Sequence, residues 1–242
     1  NPDCSWFYRI SAQDFKMVPG APIAYWVSKS IFVLFSKYES LDNYFDFQIG
    51  MVTGNNNFYL RNWYEVSKKN IGFGFQSRNI AKLSQKKWFP YTKGGDFRKW
   101  SGNKELIVNW ENDGFLLQNT LDPTHSRIWA HNFNLDKIFN PSLCWTTISS
   151  SNISFRFFPE GFLFDAAGGL GQPKNNNEIN VALGYLNTKL VRLFMSFINP
   201  TISLHPGYIG KLPFIQTDSS VFVRSFIYIA SVYWYCFETS WV

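Results

Sequence analysis

Two adjacent glycines, Gly94-Gly95, stand in the middle of the stretch Lys86 to Gly114 (KKWFPYTKGGDFRKWSGNKELIVNWENDG), and they constrain the fold more than any other feature. Such a pair accepts positive φ without steric cost, so the chain turns there. Around the turn lie Lys86, Lys87, Lys93, Arg98, Lys99 and Lys104, against only Asp96 and Glu105 before Trp110. Trp88, Phe89, Tyr91, Phe97 and Trp100 are set between them. Cations and rings interleaved around an open turn suit a polyanion with flat bases, because cations neutralise phosphates while rings and amides approach bases. The competing reading is a buried aromatic hairpin ringed by solvated lysines.

The chain of 242 residues is long enough to bury a core, and with 45% hydrophobic and 19% aromatic residues it is not a disordered chain. A formal net charge of +6 leans toward an anionic partner. Cys4, Cys144 and Cys236 are far apart and odd in number, which supports neither a disulfide framework nor a zinc knuckle and fits a reducing cytoplasm. The longest apolar run, Phe226 to Cys236, is too short to span a bilayer, so a soluble protein with no membrane partner is expected. The start at Asn1 without methionine and the stop at Trp241-Val242 suggest a piece of something longer.

Local patterns predict a strand at Trp6 to Ile10, a bend at residues 19–22, and a helix from Trp26 to Tyr38 whose apolar positions recur near the helical period. Phe45 to Ile49 reads as a strand running into a loop, Gly50 to Asn57. Further strands are expected at Asn62 to Val66, Leu106 to Trp110, Leu143 to Ser149, Ile153 to Phe158 and Phe162 to Asp165. Ala166 to Asn177, rich in Gly and Asn, reads as an exposed loop. Glu178 to Ile198 reads as one helix with Val181, Leu183, Leu186, Leu190, Leu193, Phe194 and Phe197 on its apolar face and Pro200 ending it. A last helix is expected over 218–240, opened by Asp218 or Ser219.

Catalytic chemistry finds little support. Asn1-Pro2-Asp3-Cys4 lacks the second proline and the ring of the Asn-Pro-Pro-aromatic signature of adenine methylases. Asp3, Asp14 and Lys16 match nuclease spacing only loosely. Neither Gly72-Phe73-Gly74 nor Gly168-Gly169-Leu170-Gly171 has the strand-to-helix setting of a phosphate loop, and a turn or loop is the reading for both. His125, His131 and His205 lack neighbours at metal-ligand spacing, so no metal is expected. Ser149-Ser150-Ser151 reads as a strand end facing a ligand, or as a polar turn. The residues point away from catalysis and toward binding.

Several long motifs carry a resemblance across nearly the whole chain: Phe15 to Trp26 (FKMVPGAPIAYW), Ile49 to Trp63 (IGMVTGNNNFYLRNW), Lys87 to Trp100, Val108 to Gly114 (VNWENDG), Cys144 to Phe164 (CWTTISSSNISFRFFPEGFLF), Leu183 to Pro213, and Phe237 to Trp241 (FETSW). Together they resemble the target-recognition region of the PglX/BrxX-like adenine-specific DNA methyltransferases of BREX-type phage-exclusion systems. More distantly, Leu183 to Pro213 resembles the recognition domains of type I restriction specificity subunits, where a twisted sheet with helices presents loops to DNA.

The expected fold class is therefore α/β (mixed α+β): a twisted, mostly antiparallel sheet with packed helices, in one domain over 1–242 with a lead-in segment 1–22. The resemblance implies a DNA-binding recognition fragment of an S-adenosylmethionine-dependent N6-adenine methyltransferase whose catalytic domain lies upstream of Asn1. No cofactor and no catalytic residue are assigned to this chain. The implied partners are double-stranded DNA, the catalytic domain of the same polypeptide and other phage-exclusion proteins. Lys86, Lys87, Lys93, Gly94, Gly95, Arg98 and Lys99 are the candidates for phosphates. Asn55, Asn56, Asn57, Arg61, Ser149, Ser150 and Ser151 are the candidates for base edges. A carbohydrate-binding module and a metal-dependent nuclease on Asp3, Asp14 and Lys16 are the alternatives.

Overall fold

The computed structural model describes residues 10–149, 152–175 and 178–215. All but the last residue of the strand expected at Trp6 to Ile10 lies outside them, as do Asp3, Ser150, Ser151 and the helix expected over 218–240. Helices α1 (Ala12–Phe15) and α2 (Lys29–Lys37) precede strand β1 (Phe45–Gln48). Next come α3 (Asn56–Tyr59), β2 (Leu60–Asn62), α4 (Arg78–Leu83), β3 (Trp88–Thr92), β4 (Leu106–Asn109) and α5 (Glu111–Asn119). Four strands follow: β5 (Ser142–Trp145), β6 (Phe155–Phe158), β7 (Leu163–Phe164) and β8 (Leu170–Pro173). Helices α6 (Ile179–Leu186), α7 (Lys189–Ile198) and α8 (Pro206–Gly210) complete the described chain.

The class is the expected mixed α/β, but the strands form two four-stranded sheets and not one: β1-β8-β5-β6 and β2-β4-β3-β7. The first is antiparallel throughout; in the second only β3 and β7 run parallel. Every residue of β5 is buried. Leu143 and Trp145 enter the larger core with Phe155 and the helices α2, α6 and α7, while Cys144 on the opposite face packs with Phe158, Leu170 and Phe164 of the second sheet. Helices on one face and a second sheet on the other bury both sides of this strand, which removes the alternation a half-exposed strand would show.

Three expectations need correction. The stretch Ala166 to Asn177 holds an inner strand, β8, between β1 and β5. Its glycines are there for space: a Cβ on Gly169 would lie 2.1 Å from the Trp145 ring and one on Gly171 2.6 Å from the Phe47 ring. Second, the helix expected over Glu178 to Ile198 is broken into α6 and α7, bent by 69°. Thr188 caps α7 by accepting from the Val191 amide at 3.2 Å, and the bend turns Leu193 outward to 39% exposure. Third, the strand expected at Asn62 to Val66 gives way to a 3₁₀ turn, Trp63–Glu65, whose Glu65 carboxylate accepts the Asn62 amide at 2.6 Å. Among the described residues no single helix is long and apolar enough to cross a membrane.

The VNWENDG motif is a structural joint. Asn112, Asp113 and Gly114 all have positive φ, 52°, 60° and 73°, and fold the chain back so that Gly114 lies under the Trp110 ring. Asp113 accepts from Arg78 Nε at 3.0 Å and Nη2 at 2.6 Å, and from the Trp110 indole at 3.2 Å. This fork-shaped pair joins α4 to α5.

Two cations are built into the layer between the sheets. Arg156, 1% exposed and paired across the strands with Cys144, donates to Arg98 O, Ser154 Oγ and Thr146 Oγ1 at 3.3, 3.4 and 3.1 Å, and its Nε has no hydrogen-bond partner. The Lys104 ammonium lies 5.5 Å from the Phe158 ring centroid. Desolvation lowers the Lys104 ammonium to about 8 and pushes the Cys144 thiol up to about 12.

Adding a methyl group at Gly169 overpacks the Trp145 contact, so Gly169→Ala should destabilise by about 1–3 kcal/mol. Leu186→Ala, at a residue 2% exposed, should cost about 2–5 kcal/mol. Urea titration measures both; a midpoint unchanged in Gly169→Ala would refute the packing of β8. An ammonium held below its ordinary value binds fewer protons in the folded chain than in the unfolded chain, here between pH about 8 and the ordinary 10.5. Its contribution to stability therefore rises with pH across that window. Lys104→Met should remove this rise, read as a smaller gain in urea midpoint between the two pH values than the native chain shows.

Candidate nucleic-acid interface

The cations taken as phosphate candidates are divided between the two ends of the second sheet. β3 begins at Trp88 opposite Asn109 and ends at Thr92 beside Phe164. Lys86 and Lys87 precede it and Lys93 to Lys99 follow it, so a five-residue strand, about 17 Å, separates them. β2 runs antiparallel to β4 with Leu60 opposite Val108, which brings the Asn55 to Asn57 turn to the Lys86–Lys87 end. There Arg61 lies with its guanidinium carbon 5.8 Å from the Trp88 ring centroid.

Several of these groups are engaged inside the protein. Lys86 Nζ donates to Lys69 O, and Lys87 lies 3.6 Å from Glu111. At the far end Lys93 is 3.9 Å from Asp165, a carboxylate that also accepts the Tyr91 hydroxyl at 2.7 Å and the Ala167 amide at 2.8 Å. Lys99 donates to Asn187 O at 2.7 Å, and its ammonium is lowered first by burial and then by the neighbouring Arg192 charge. Gly94 is buried, with the Ala167 carbonyl oxygen 2.7 Å from where its Cβ would stand. Arg98 and Gly95 are exposed.

The Asn55 to Asn57 segment is an ordered helical turn and not an open loop. Asn55 caps α3 by accepting the Phe58 amide at 3.1 Å, and Asn56 Oδ1 accepts the Thr53 hydroxyl at 2.7 Å. Asn57 is exposed, and its carbonyl accepts Arg61 Nη1 at 2.7 Å. Gly54, at φ 74°, leaves the room that the Trp129 ring fills.

Gly95 and Ser149 do come together. Both line a cleft of about 220 Å³ between the turn after β3, the segment after β5, and α7 with the segment that follows it. Its polar lining includes Thr146, Asn152, Ser154, Arg192 and Thr201, and its apolar part includes Met195, Leu204 and Phe97. No Asp or Glu is among its described lining residues. The Thr146 hydroxyl donates to Gly95 O at 2.9 Å and receives Arg156 Nη2. The Trp145 indole donates to Leu204 O at 2.9 Å, fixing the segment after α7 against β5.

Arg192, Thr201 and Asn152 were not singled out by sequence reading, and Arg156 was read as an ordinary strand residue. Two signals were available. Arg192 is a cation on a helix whose apolar face is otherwise strong, and Arg156 stands within the otherwise aromatic run Phe155 to Phe158. Among the described residues no group of His, Cys, Asp and Glu could hold a metal ion; Asp14 is 3.2 Å from Lys29, an ion pair joining α1 to α2.

No family model matches the chain. It is 36% identical over 246 residues, 100% of its length and 20% of the relative's, to adenine-specific methyltransferase PglX of Lacticaseibacillus casei (strain Zhang). It is 34% identical over 239 residues, 97% of its length and 18% of the relative's, to adenine-specific methyltransferase BrxX of Escherichia coli O9:H4 (strain HS). The chain thus spans about a fifth of the length of these curated relatives. Matched over nearly its whole length and to so small a share of theirs, it corresponds to one section of these two proteins.

Proposed function

We propose that the chain is a DNA-recognition segment of an S-adenosylmethionine-dependent N6-adenine methyltransferase acting in phage defence, which holds duplex DNA for a catalytic part of the same longer polypeptide. The observation that carries this reading is the end-to-end match to one section of two proteins named as adenine-specific methyltransferases. The two glycine clusters lend no support to a cofactor loop here: the methyl positions of Gly169 and Gly171 are taken by the Trp145 and Phe47 rings, and Gly72 lies against Phe89. Methyl transfer from S-adenosylmethionine is accordingly assigned to the longer protein, and other phage-exclusion proteins are its partners in this reading.

Within this reading the exposed Arg98 contacts phosphate, with Gly95 beside it. Lys93 and Lys99 contribute less than their number suggests, since Asp165 and the Asn187 carbonyl already engage them. At the other end of the sheet Lys86 and Lys87 meet the backbone of a second stretch of duplex, and Asn57 with Arg61 offers amide and guanidinium groups to base edges. Ser149 is left to the cleft.

Fluorescence anisotropy of the 242-residue chain with a pool of random duplexes tests the proposal. Binding should weaken steeply with salt, and Arg98→Ala should lower affinity for all duplexes alike while reducing the salt slope by about one unit. Asn57→Ala should leave binding to the pool nearly intact but cost about 1–3 kcal/mol on sequences the native chain enriches. Binding to a glycan array with little response to salt would replace this reading with a carbohydrate-binding one.

A further inference from the structure

We propose that the cleft lined by Gly95, Ser154 and Arg192 seats one sugar-phosphate unit of a nucleic-acid strand, with Arg192 on the phosphate, a contact that rests on the DNA-binding reading above. Charge is the first argument. Arg192 projects from α7 into a cleft with no Asp or Glu among its described lining residues. Arg156 stands behind the wall, buried, and touches it through Thr146 Oγ1 and Ser154 Oγ. Its Nε is without a hydrogen-bond partner, and no carboxylate among the described residues forms an ion pair with it, Glu105 acting only at longer range. Positive groups on and behind one low-dielectric wall focus a field that favours an anion.

Hydrogen bonding and size are the second and third arguments. The Ser154 oxygen accepts from Arg156, which leaves its own hydrogen free to donate toward the cleft. Thr146 is turned the other way: it receives Arg156 and donates to Gly95 O, fixing the rim. Arg156 is thus a positioning residue and Arg192 a contact residue. A volume of about 220 Å³ falls below the roughly 300–1,000 Å³ of pockets that enclose drug-sized ligands, so a whole cofactor is too large. It exceeds what a bare phosphate needs, since one water occupies about 30 Å³. Phe97 at the rim, 45% exposed, and the Met195 and Leu204 side chains give the sugar carbons an apolar surface.

Anisotropy of the 242-residue chain with a labelled duplex, at low and physiological salt, tests the inference. Arg192→Ala should weaken binding about tenfold, as loss of a charged hydrogen bond does, and lower the salt slope by about one unit. Ser196→Trp, which fills the cleft from the exposed side of α7 and keeps every charge, should weaken binding by a similar factor. Lys37→Ala, an equal loss of charge on α2, should change affinity by about twofold at most. Both α7 residues are exposed, so melting curves should match that of the native chain. If the native chain binds duplex and both cleft variants bind it equally well, the cleft inference falls while the DNA-binding reading stands. If the native chain binds no duplex, that reading falls and takes the inference with it. Titration with inorganic phosphate separates the sources: phosphate bound in the cleft with duplex affinity untouched by either variant would overturn the strand assignment.

Discussion

One amide side chain, that of Asn187, ties the helical layer to the sheet that carries the cleft. β6 is the edge of the first sheet, and although the Phe155 carbonyl accepts the Trp100 amide at 3.0 Å, its N–H would be buried with no backbone partner. Asn187 supplies that partner, accepting the amide at 3.1 Å, and it donates to the same residue's carbonyl and to Leu183 O at the end of α6, each at 3.0 Å. Leaving such an N–H unsatisfied costs about 1–3 kcal/mol. The same residue stands where α6 gives way to α7, so the bend that aims Arg192 and Ser196 at the cleft is held by the strand it covers. Its carbonyl then takes the Lys99 ammonium, which fixes the basic segment after β3 to the same point.

That arrangement explains why a basic segment is less basic in effect than in composition. An ammonium donating to a backbone carbonyl keeps its charge but loses freedom to follow a ligand, and one facing a carboxylate has part of its field cancelled. Lys99 and Lys93 are in these two conditions. Arg156 is the opposite case: a buried cation with no carboxylate in ion-pair contact among the described residues, Glu105 acting on it only from a distance, and held by carbonyl and hydroxyl oxygens. Replacing such a group by a well-packed apolar residue is often neutral or stabilising, so its presence argues for a purpose in the wall it supports.

Elements defined by their own local pattern were legible in the sequence. The apolar spacing of α2, the alternation of β1 and the apolar run of β4 all fall within the expected spans. Legibility failed where the deciding partner was distant. Gly169 and Gly171 look like a permissive loop until Trp145 and Phe47 arrive to fill the space. Asn187-Thr188 interrupts an apolar period too briefly to announce a break, and only Phe155 shows what the asparagine is for. At the candidate site, charge density drew attention to Lys86–Lys99 while Asp165 and the Asn187 carbonyl that engage those lysines lay far along the chain. Asn55 and Asn56 were read by their amides alone, although Asn before a helical turn is a common cap.

The cleft is assembled from contacts that span long separations: 88 residues from Lys99 to Asn187, 59 from Trp145 to Leu204 and 51 from Thr146 to Gly95. Closing such loops costs entropy before any contact rewards it, so structures rich in them form slowly and after their local elements. The hairpin of β3 and β4 and the helices can form early; the cleft belongs to the end of folding. Losing the Lys99–Asn187 and Thr146–Gly95 bonds would loosen it while leaving both sheets paired.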